Sequence, residues 1–420
     1  MKTKLEKILM ISSYAPPAIG GPQMLYNILN NLPYESYCIL TSFYNIDNFS
    51  LQKGSWLKGK YIFYDKPGTS KKIELKKIYA SGKVKRDFVI KIKHLAKRSA
   101  VARVFVGLLF TMWQIVAILL VGKKAIIQEK IETLVGISDY GPSMIGTYIL
   151  HKLTKKPFVV YFFDIYWGNF LPFPGNIVAR ILEPLLIKDS QNIVVTNQGT
   201  KEFYQRRYGD SIKNKLVVVY NSLDPAPYKN LLPEKRGSTI PYVILFTGRI
   251  NWPQIGSIKN LIRAVESMDN VKIKFYCPNP RDYLEKIGIK AGEKIEIDVV
   301  APDEIPAIER RADILFLPLS WHTKSQDIID TATPGKLTNY LISGRPILIH
   351  APVSSHLVHY AKERQFAHIV DEENIEDLRK GIRALIQDKE YASRIVANAR
   401  ATFFENHDVN KNMKTFYDLF

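Results

Sequence analysis

Short runs rich in Val, Ile, Leu and Phe recur along this chain, spaced by stretches long enough for a helix. The first half contains Lys7–Ser12, Tyr37–Thr41, Lys60–Tyr64, Thr133–Ser138, Phe158–Phe163, Asn192–Thr196 and Leu216–Tyr220. The second half contains Tyr242–Thr247, Val271–Tyr276, Lys294–Val299, Ile314–Leu319, Ile347–His350 and His368–Val370. Most are continuously apolar rather than alternating, as strands buried on both faces of a parallel sheet must be. Strand and helix in strict alternation, with right-handed crossovers, predict an α/β doubly wound fold.

Between the two sets lies Ser222–Pro241, which carries Pro225, Pro227, Pro233 and Pro241 and reads as a linker. The expected organisation is an N-terminal Rossmann-like domain over 1–222, a linker over 223–241, a C-terminal Rossmann-like domain over 242–400, and a last helix over 401–420 able to return to the first domain. In such sheets ligands sit beyond the carboxyl ends of the strands. The loops that follow strands are therefore where function is sought.

Two cysteines are too few for a disulfide scaffold or a Cys-rich zinc site, and none of the eight His forms an H-E-x-x-H pattern. No resident metal or cofactor is expected. The first residues contain only a four-residue apolar run, Ile8–Ile11, shorter than a signal-peptide core, so a cytoplasmic location is expected.

The formal net charge is +19 and it is concentrated. Residues 71–130 hold fifteen Lys and Arg against Glu74, Asp87 and Glu129, a local net of +12. Such a face attracts anionic lipid, nucleic acid or phosphorylated substrates. No nucleic-acid recognition motif accompanies it, so nucleic acid is not an expected partner. Within the region, Val104–Gly122 runs nineteen residues without a charge. That length suits a buried core helix, insertion into one leaflet, or a transmembrane span. Spanning would place the flanking strands on opposite sides of a bilayer, which one sheet forbids. Upstream, Phe88, Ile92, Leu95 and Ala102 fall near helical spacing among Lys91, Lys97, Arg98 and Arg103, the pattern of a helix lying on a membrane surface. A solvated basic helix packed on its own domain fits the same residues.

Several loops carry residues suited to chemistry. After the first run, Ser12–Pro22 contains Tyr14 and the pair Gly20-Gly21 ahead of a helical pattern, a turn that brings backbone N–H groups close to a ligand. It is not G-x-G-x-x-G. Strand Tyr242–Thr247 leads into Gly248-Arg249, where a guanidinium at a strand's carboxyl end can hold a diphosphate; an ion pair is the structural alternative. Lys259, in the next helix, could add charge. Thr331–Ile347 includes Pro334-Gly335-Lys336-Leu337, read as the first turn of a helix that presents N–H groups and a cation to phosphate, with Asn339 one turn on and Gly344 closing it. After strand Phe158–Phe163, Asp164 and Trp167 form a polar and aromatic cluster. Ser320-Trp321-His322 follows a further strand end.

Taken in order, ILMISSYAPPAIGGPQMLYNIL, VVTNQGTKEFYQRRYG with VVVYNSLD, ILFTGR, ADILFLPL and PGKLTNYLISGRPIL make the chain resemble GT-B glycosyltransferases over nearly its whole length, particularly the group 1 (family 4) type. The resemblance implies two Rossmann-like domains facing across a cleft and a transferase using a nucleotide sugar, usually retaining and metal-independent; no D-x-D pair is present. It implies donor contacts from Gly20, Gly21, Arg249, Gly335, Lys336 and Leu337; the residues themselves add Lys259 and Pro334, and Thr331 and Asn339 stand at two further donor positions of the family. On the acceptor side the residues themselves offer Tyr14, Asp164 and Trp167, with a helix cap and a core aromatic as the structural alternatives for Asp164 and Trp167. Arg249 would neutralise the departing diphosphate, and Asp164 would orient or deprotonate the acceptor. Together with the basic region, this suggests a lipid-linked or polysaccharide acceptor at the inner face of the plasma membrane.

The departures from the family pattern are specific. The two family glutamates, eight positions apart, fall on Thr331 and Asn339, with Asp327 and Asp330 as nearby carboxylates. The glycine-rich turn after the second strand of the C-domain reads Cys277-Pro278-Asn279-Pro280. The lysine after the Gly-Arg pair is displaced. A soluble small-acceptor transferase and a non-catalytic membrane scaffold remain open readings.

Overall fold

The computed structural model describes residues 6–14, 16, 20–43, 45, 56–65, 100–139, 142–169, 174–229 and 240–420. The upstream surface-helix candidates Phe88, Ile92, Leu95, Lys91, Lys97 and Arg98, and the side chains of Ala102 and Arg103, lie outside the described residues.

Every apolar run read from the sequence is a strand. In chain order these are β1 (Ile8–Ser12), β2 (Tyr37–Thr41), β3 (Lys60–Phe63), β4 (Thr133–Ile137), β5 (Phe158–Phe162), β6 (Asn192–Val195) and β7 (Leu216–Val218), then β8 (Tyr242–Thr247), β9 (Val271–Tyr276), β10 (Ile295–Asp298), β11 (Ile314–Pro318), β12 (Ile347–His350) and β13 (His368–Val370). Several end one or two residues earlier than the apolar run, the usual play at element ends.

The strands form two sheets, β3-β2-β1-β4-β5-β6-β7 and β10-β9-β8-β11-β12-β13, and all pairings within them are parallel. Each sheet grows one way from its first strand and then the other way from a neighbour, so strand order reverses between β1 and β4 and again between β8 and β11. These two reversals are the switch points at which a crevice opens beyond the strand ends.

The chain divides into two compact units. The first comprises 1–196, 201–219 and 413–420; the second comprises 197–200 and 220–412. The second unit thus starts at Tyr220, two residues before the segment read as a linker, so that segment belongs to it. Tyr228 explains why: its ring is 5% exposed and belongs to the core around Leu319, Leu337 and Tyr340. Phe416 and Phe420 pack with Met10, Ile39 and Tyr161 in the first unit.

Alternation on the strands feeds two layers. In β1, Ile8 and Met10 face the helix Gly21–Leu29 through Leu25, Ile28 and Leu29. On the other face, a Cβ at Gly122 would meet Leu40 of β2 and Leu150, and one at Gly136 of β4 would meet Thr147. Helices Ala100–Gln128 and Ser143–Thr154 therefore cover that side.

The long apolar stretch is a 29-residue helix, Ala100–Gln128, and it is not a core helix throughout. Gln114, Ile118, Ala125 and Ile126 are buried, whereas Phe105, Met112, Val116 and Leu120 are each more than half exposed. Only one side of it meets the domain.

Candidate functional site

In the first unit the crevice between β1 and β4 is organised by Asp139, which follows β4. Its Oδ2 accepts from Ser12 Oγ at 3.1 Å, from Ser143 Oγ at 3.1 Å, and from the Ser13 backbone N–H. Ser13 Oγ and Ser143 Oγ are 2.6 Å apart. One carboxylate thus ties the ends of both switch-point strands to the start of helix Ser143–Thr154. Tyr14, 37% exposed, projects from the same loop, and its phenol pKa is raised by burial and by the negative charge of Asp139.

The two glycines of the loop do different work. Gly20 has φ of 92°, where an L side chain is strained, and a Cβ there would meet nothing within 4 Å. Gly21 is needed for closeness instead: its Cβ would stand 2.3 Å from the Phe163 ring.

Past β5, Asp164 is exposed, and the protein crowded around it raises its carboxyl pKa by desolvation. Trp167 is held by a buried carboxylate, Glu183, that the sequence did not reveal. Glu183 Oε2 accepts from Trp167 N at 2.7 Å and Tyr204 OH at 3.2 Å; Oε1 accepts from Tyr208 OH at 2.7 Å and Arg207 Nη1 at 3.0 Å. Arg207 also donates to Trp167 O at 2.8 Å, and its guanidinium lies 4.5 Å from the Trp167 ring centroid. Burial raises the Glu183 pKa, while these donors and Arg207 oppose the rise. The loop bearing Asp164 and Trp167 is therefore rigidly seated, and the indole already has a cation against it.

In the second unit the sequence candidates converge at the end of β8. Gly248 takes φ of 91°, and a Cβ on it would come within 3.8 Å of Lys336 Cε. Lys336 Nζ sits 4.2 Å from the Phe246 ring centroid. Burial pushes its pKa down to about 7, with Glu309 pulling the other way. Glu309, fully buried, is pushed up to about 8 by burial. Its Oε1 accepts from Thr247 Oγ1 at 2.9 Å, and Thr247 N donates to Tyr340 OH at 3.0 Å. Asn339 Nδ2 donates to Tyr228 OH at 2.9 Å, which fixes the amide at the ribose position of the family pattern. Arg249 is exposed, and no described residue pairs with it. Asn279 Oδ1 accepts from Ile250 N at 2.8 Å while its amide donates to Ile250 O at 3.0 Å, so the Cys277–Pro280 turn clamps the loop that carries Arg249.

The helix expected to begin at Pro334 starts later. Residues 333–336 form a turn, and the helix is Leu337–Ile342, with Leu337 N bonded to Pro334 O at 2.9 Å. Six residues give little macrodipole, so the cation at this place is the Lys336 side chain rather than a helix end. Gly335 is exposed beside it, Leu337 is core, and Thr333 Oγ1 is buried without a partner.

The remaining candidates sit apart from this cluster. Thr331 is 4% exposed and its hydroxyl donates to Asp327 O at 2.7 Å, turned back on its own helix. Its carbonyl accepts from Asn197 Nδ2 at 3.0 Å. Asp330 accepts from Gln326 and Ser354 at 2.8 and 2.7 Å. Lys259 lies over Gly288, its Cε 3.5 Å from a Cβ placed there. His322, 88% exposed at its side chain, reaches Glu373 at 3.5 Å, and Trp321 packs 4.6 Å from the buried ring of His350. Asn279 was read only as part of a turn that departs from the family pattern, and Asp139, Glu183, Glu309 and Tyr228 escaped the sequence reading. A carboxylate directly after a strand was the available signal for Asp139; the others had none.

No protein-family model matches the chain, and no curated protein matches it by sequence. Solved structures do. HepE of Anabaena, in complex with UDP and glucose, superposes with a TM-score of 0.66 at 13% identity, covering 98% of each chain. The lipopolysaccharide outer core galactosyltransferase WaaB gives 0.60 at 12% identity, again covering 98% of each. A Listeria monocytogenes protein named as a UDP-N-acetylglucosamine 2-epimerase gives 0.56 at 13%, covering 98% of this chain and 94% of its own. At these identities the likeness speaks for architecture, and the architecture of this chain is the GT-B fold of glycosyltransferases.

Proposed function

We propose that this protein is a glycosyltransferase that moves a sugar from a nucleotide-sugar donor to a lipid-linked or polysaccharide acceptor in cell-surface glycan assembly. The observation that carries the reading is the end of β8, where Arg249 is exposed and Lys336 Cε lies 3.8 Å from the place of a Cβ on Gly248. An arginine on the loop after β8 and a lysine on the turn before helix Leu337–Ile342, at a switch point, suit a diphosphate. They would stabilise the negative charge that grows on the nucleotide as the glycosidic bond breaks. Lys336, with its proton affinity reduced to near neutrality, would take up a full charge as the anion arrives. HepE with UDP and glucose, and the galactosyltransferase WaaB, support the donor class.

On this reading the acceptor meets Tyr14, Asp164 and the Asp139 crevice. Transfer with retention and without a metal, by the family 4 pattern, follows from the resemblance alone. Lipid-linked acceptors favour peripheral attachment at the inner face of the plasma membrane, to which the basic region and the exposed apolar helix are suited.

Nucleotide release from a panel of UDP-, GDP- and TDP-sugars, with and without a lipid-linked glycan extract, tests the proposal. Release needing both one donor and the extract supports it. Conversion of the sugar nucleotide into an isomer without release would replace it with an epimerase, the activity named for the Listeria protein of the same fold. Binding of nucleotide with neither outcome would leave a non-catalytic scaffold.

A further inference from the structure

Helix Ala100–Gln128 changes character at Gln114. From there on it is attached to its domain: Gln114, Ile118, Ala125 and Ile126 are at most 6% exposed. A Cβ on Gly122 would stand 2.6 Å from Leu150. Gln114 itself hydrogen-bonds the buried carboxyl of Asp65, which also accepts from Phe43 N at 2.6 Å. Before Gln114 no described side chain of the helix is buried: Val104–Trp113 are all at least partly exposed, and a Cβ on Gly107 would meet nothing within 4 Å. Phe105, Leu109, Met112 and Trp113 are 62, 52, 61 and 45% exposed. Mean hydropathy reaches 2.5 within Val104–Gln128. Monomeric soluble proteins rarely leave so much contiguous apolar surface open.

The uncharged stretch between Arg103 and Gln114 has a definite length. Ten residues at about 1.5 Å each extend about 15 Å, which is half of a hydrocarbon core of about 30 Å. It can enter one leaflet and cannot cross two, because the next residues are fastened to the sheet.

A second stripe lies on the same side of the sheet. In helix Gly175–Asp189, Ile177, Ile181 and Leu185 recur every fourth residue and are 52, 65 and 40% exposed. Tyr148 and Lys152 of the intervening helix both bond Asp189 and join it to this layer. The charges around these stripes have one sign. Lys123, Lys124, Lys155, Arg180 and Lys188 are exposed, while Glu129 is paired with Lys7 and Lys60, Asp189 with Lys152, and Glu183 is buried. Apolar stripes rimmed by exposed cations complement an anionic lipid surface.

We propose that residues 104–113 insert into a single leaflet of an anionic bilayer, that the packed Gln114 sets the depth, and that Ile177, Ile181 and Leu185 rest at the headgroup level beside them. This rests on the membrane attachment proposed above and gives it a geometry; the donor chemistry does not enter it.

The test uses spin labels. Cys38 and Cys277 are fully buried thiols, so Phe105→Cys, Met112→Cys and Ile181→Cys in the full chain each offer one accessible site. Each is labelled with a nitroxide and mixed with phosphatidylcholine vesicles with or without phosphatidylglycerol, and depth is read by power saturation with oxygen and a polar relaxer. The expected order of depth is Phe105 deepest, Met112 about 10 Å shallower by the helical rise, and Ile181 at the interface, with binding that needs the anionic lipid. Reduction of the Phe105 label by ascorbate enclosed inside the vesicles would mean spanning and would overturn the proposal. Bound protein whose labels all stay in water would overturn the insertion and leave surface attachment standing. No vesicle binding would overturn both. Concentration-dependent dimers that bury the labels in that case would make a second copy the true occupant. Nucleotide release by the same variants reports the transferase reading separately.

Discussion

Asn279 and Ile250 exchange two hydrogen bonds, the Asn279 amide grasping both the N–H and the C=O of Ile250 at 2.8 and 3.0 Å. The residue before Ile250 is Arg249, so a side chain at the end of β9 fixes the direction taken by the loop after β8. Where the resembled family uses a glycine-rich turn, this chain uses an amide clamp.

Asn279→Ala is expected to loosen that loop without unfolding the domain. Two hydrogen bonds of about 1 kcal/mol each are lost, and the cost should fall on donor KM more than on thermal stability. Steady-state kinetics beside a melting curve checks this; an unchanged KM would detach Asn279 from Arg249 placement.

Arg249→Ala should lower turnover by about two orders of magnitude, the scale of losing one preorganised charge stabiliser, with an unaltered circular dichroism spectrum. Lys336→Met, which keeps the packing on Phe246, should also weaken donor binding. Transfer at the wild-type rate in both variants would remove the end of β8 from the diphosphate site.

Glu309 predicts a pH dependence. Its folded pKa is raised above the ordinary carboxyl value to about 8, so between about 4.5 and 8 the folded chain binds the extra proton and stability falls as pH rises. Glu309→Gln removes that slope: the variant and wild type should melt alike near pH 5, and the variant should melt higher near pH 8. Lys336, lowered to about 7, acts in the opposite sense, because above about 7 the unfolded chain holds the extra proton and stability rises with pH. Parallel melting curves for wild type and Glu309→Gln across this range would contradict the buried, protonated assignment.

Glu183→Ala leaves Arg207 and two tyrosines without their shared acceptor. Breaking a buried pair from one side costs about 3–5 kcal/mol, measurable as a shift in urea midpoint. Glu183→Gln keeps the shape and should cost less, while acceptor KM rises if the Asp164–Trp167 loop serves the acceptor.

Gly20 and Gly21 should respond differently. Gly21→Ala drives a methyl into Phe163 and should cost about 1–3 kcal/mol, a loss that Phe163→Leu partly recovers. Gly20→Ala has room but sits at a left-handed φ, so its cost of about 1 kcal/mol should persist in the Phe163→Leu background. A double-mutant cycle separates the two.

All thirteen strands were legible because an apolar run buried on both faces is a local pattern, and each side chain of Ile8–Ser12 or Phe158–Phe162 reports its own burial. Strand order was not legible locally, since the reversals at β1/β4 and β8/β11 depend on pairings such as Ile8 with Thr133 and Ile244 with Ile314, far apart in the chain. The placement of Arg249 after β8 followed from sequence for the same local reason. Glu183, Glu309 and Asp139 did not, because a carboxylate in a helix or loop looks the same whether solvent or Thr247 and Ser13 receive it. Thr331 shows the converse: it stands at a family position, yet its hydroxyl is taken by Asp327 O one turn back.

The sequence by itself determined the α/β class, the strands, the two glycines before the first helix and the apolarity of 104–122, all of which are set by side chains a few residues apart. Tertiary structure decided which carboxylates are buried, that Asn279 holds the Arg249 loop, and that half of the apolar helix stays uncovered. Burial and hydrogen-bond partnership are properties of what packs against a residue, and that neighbour comes from elsewhere in the chain.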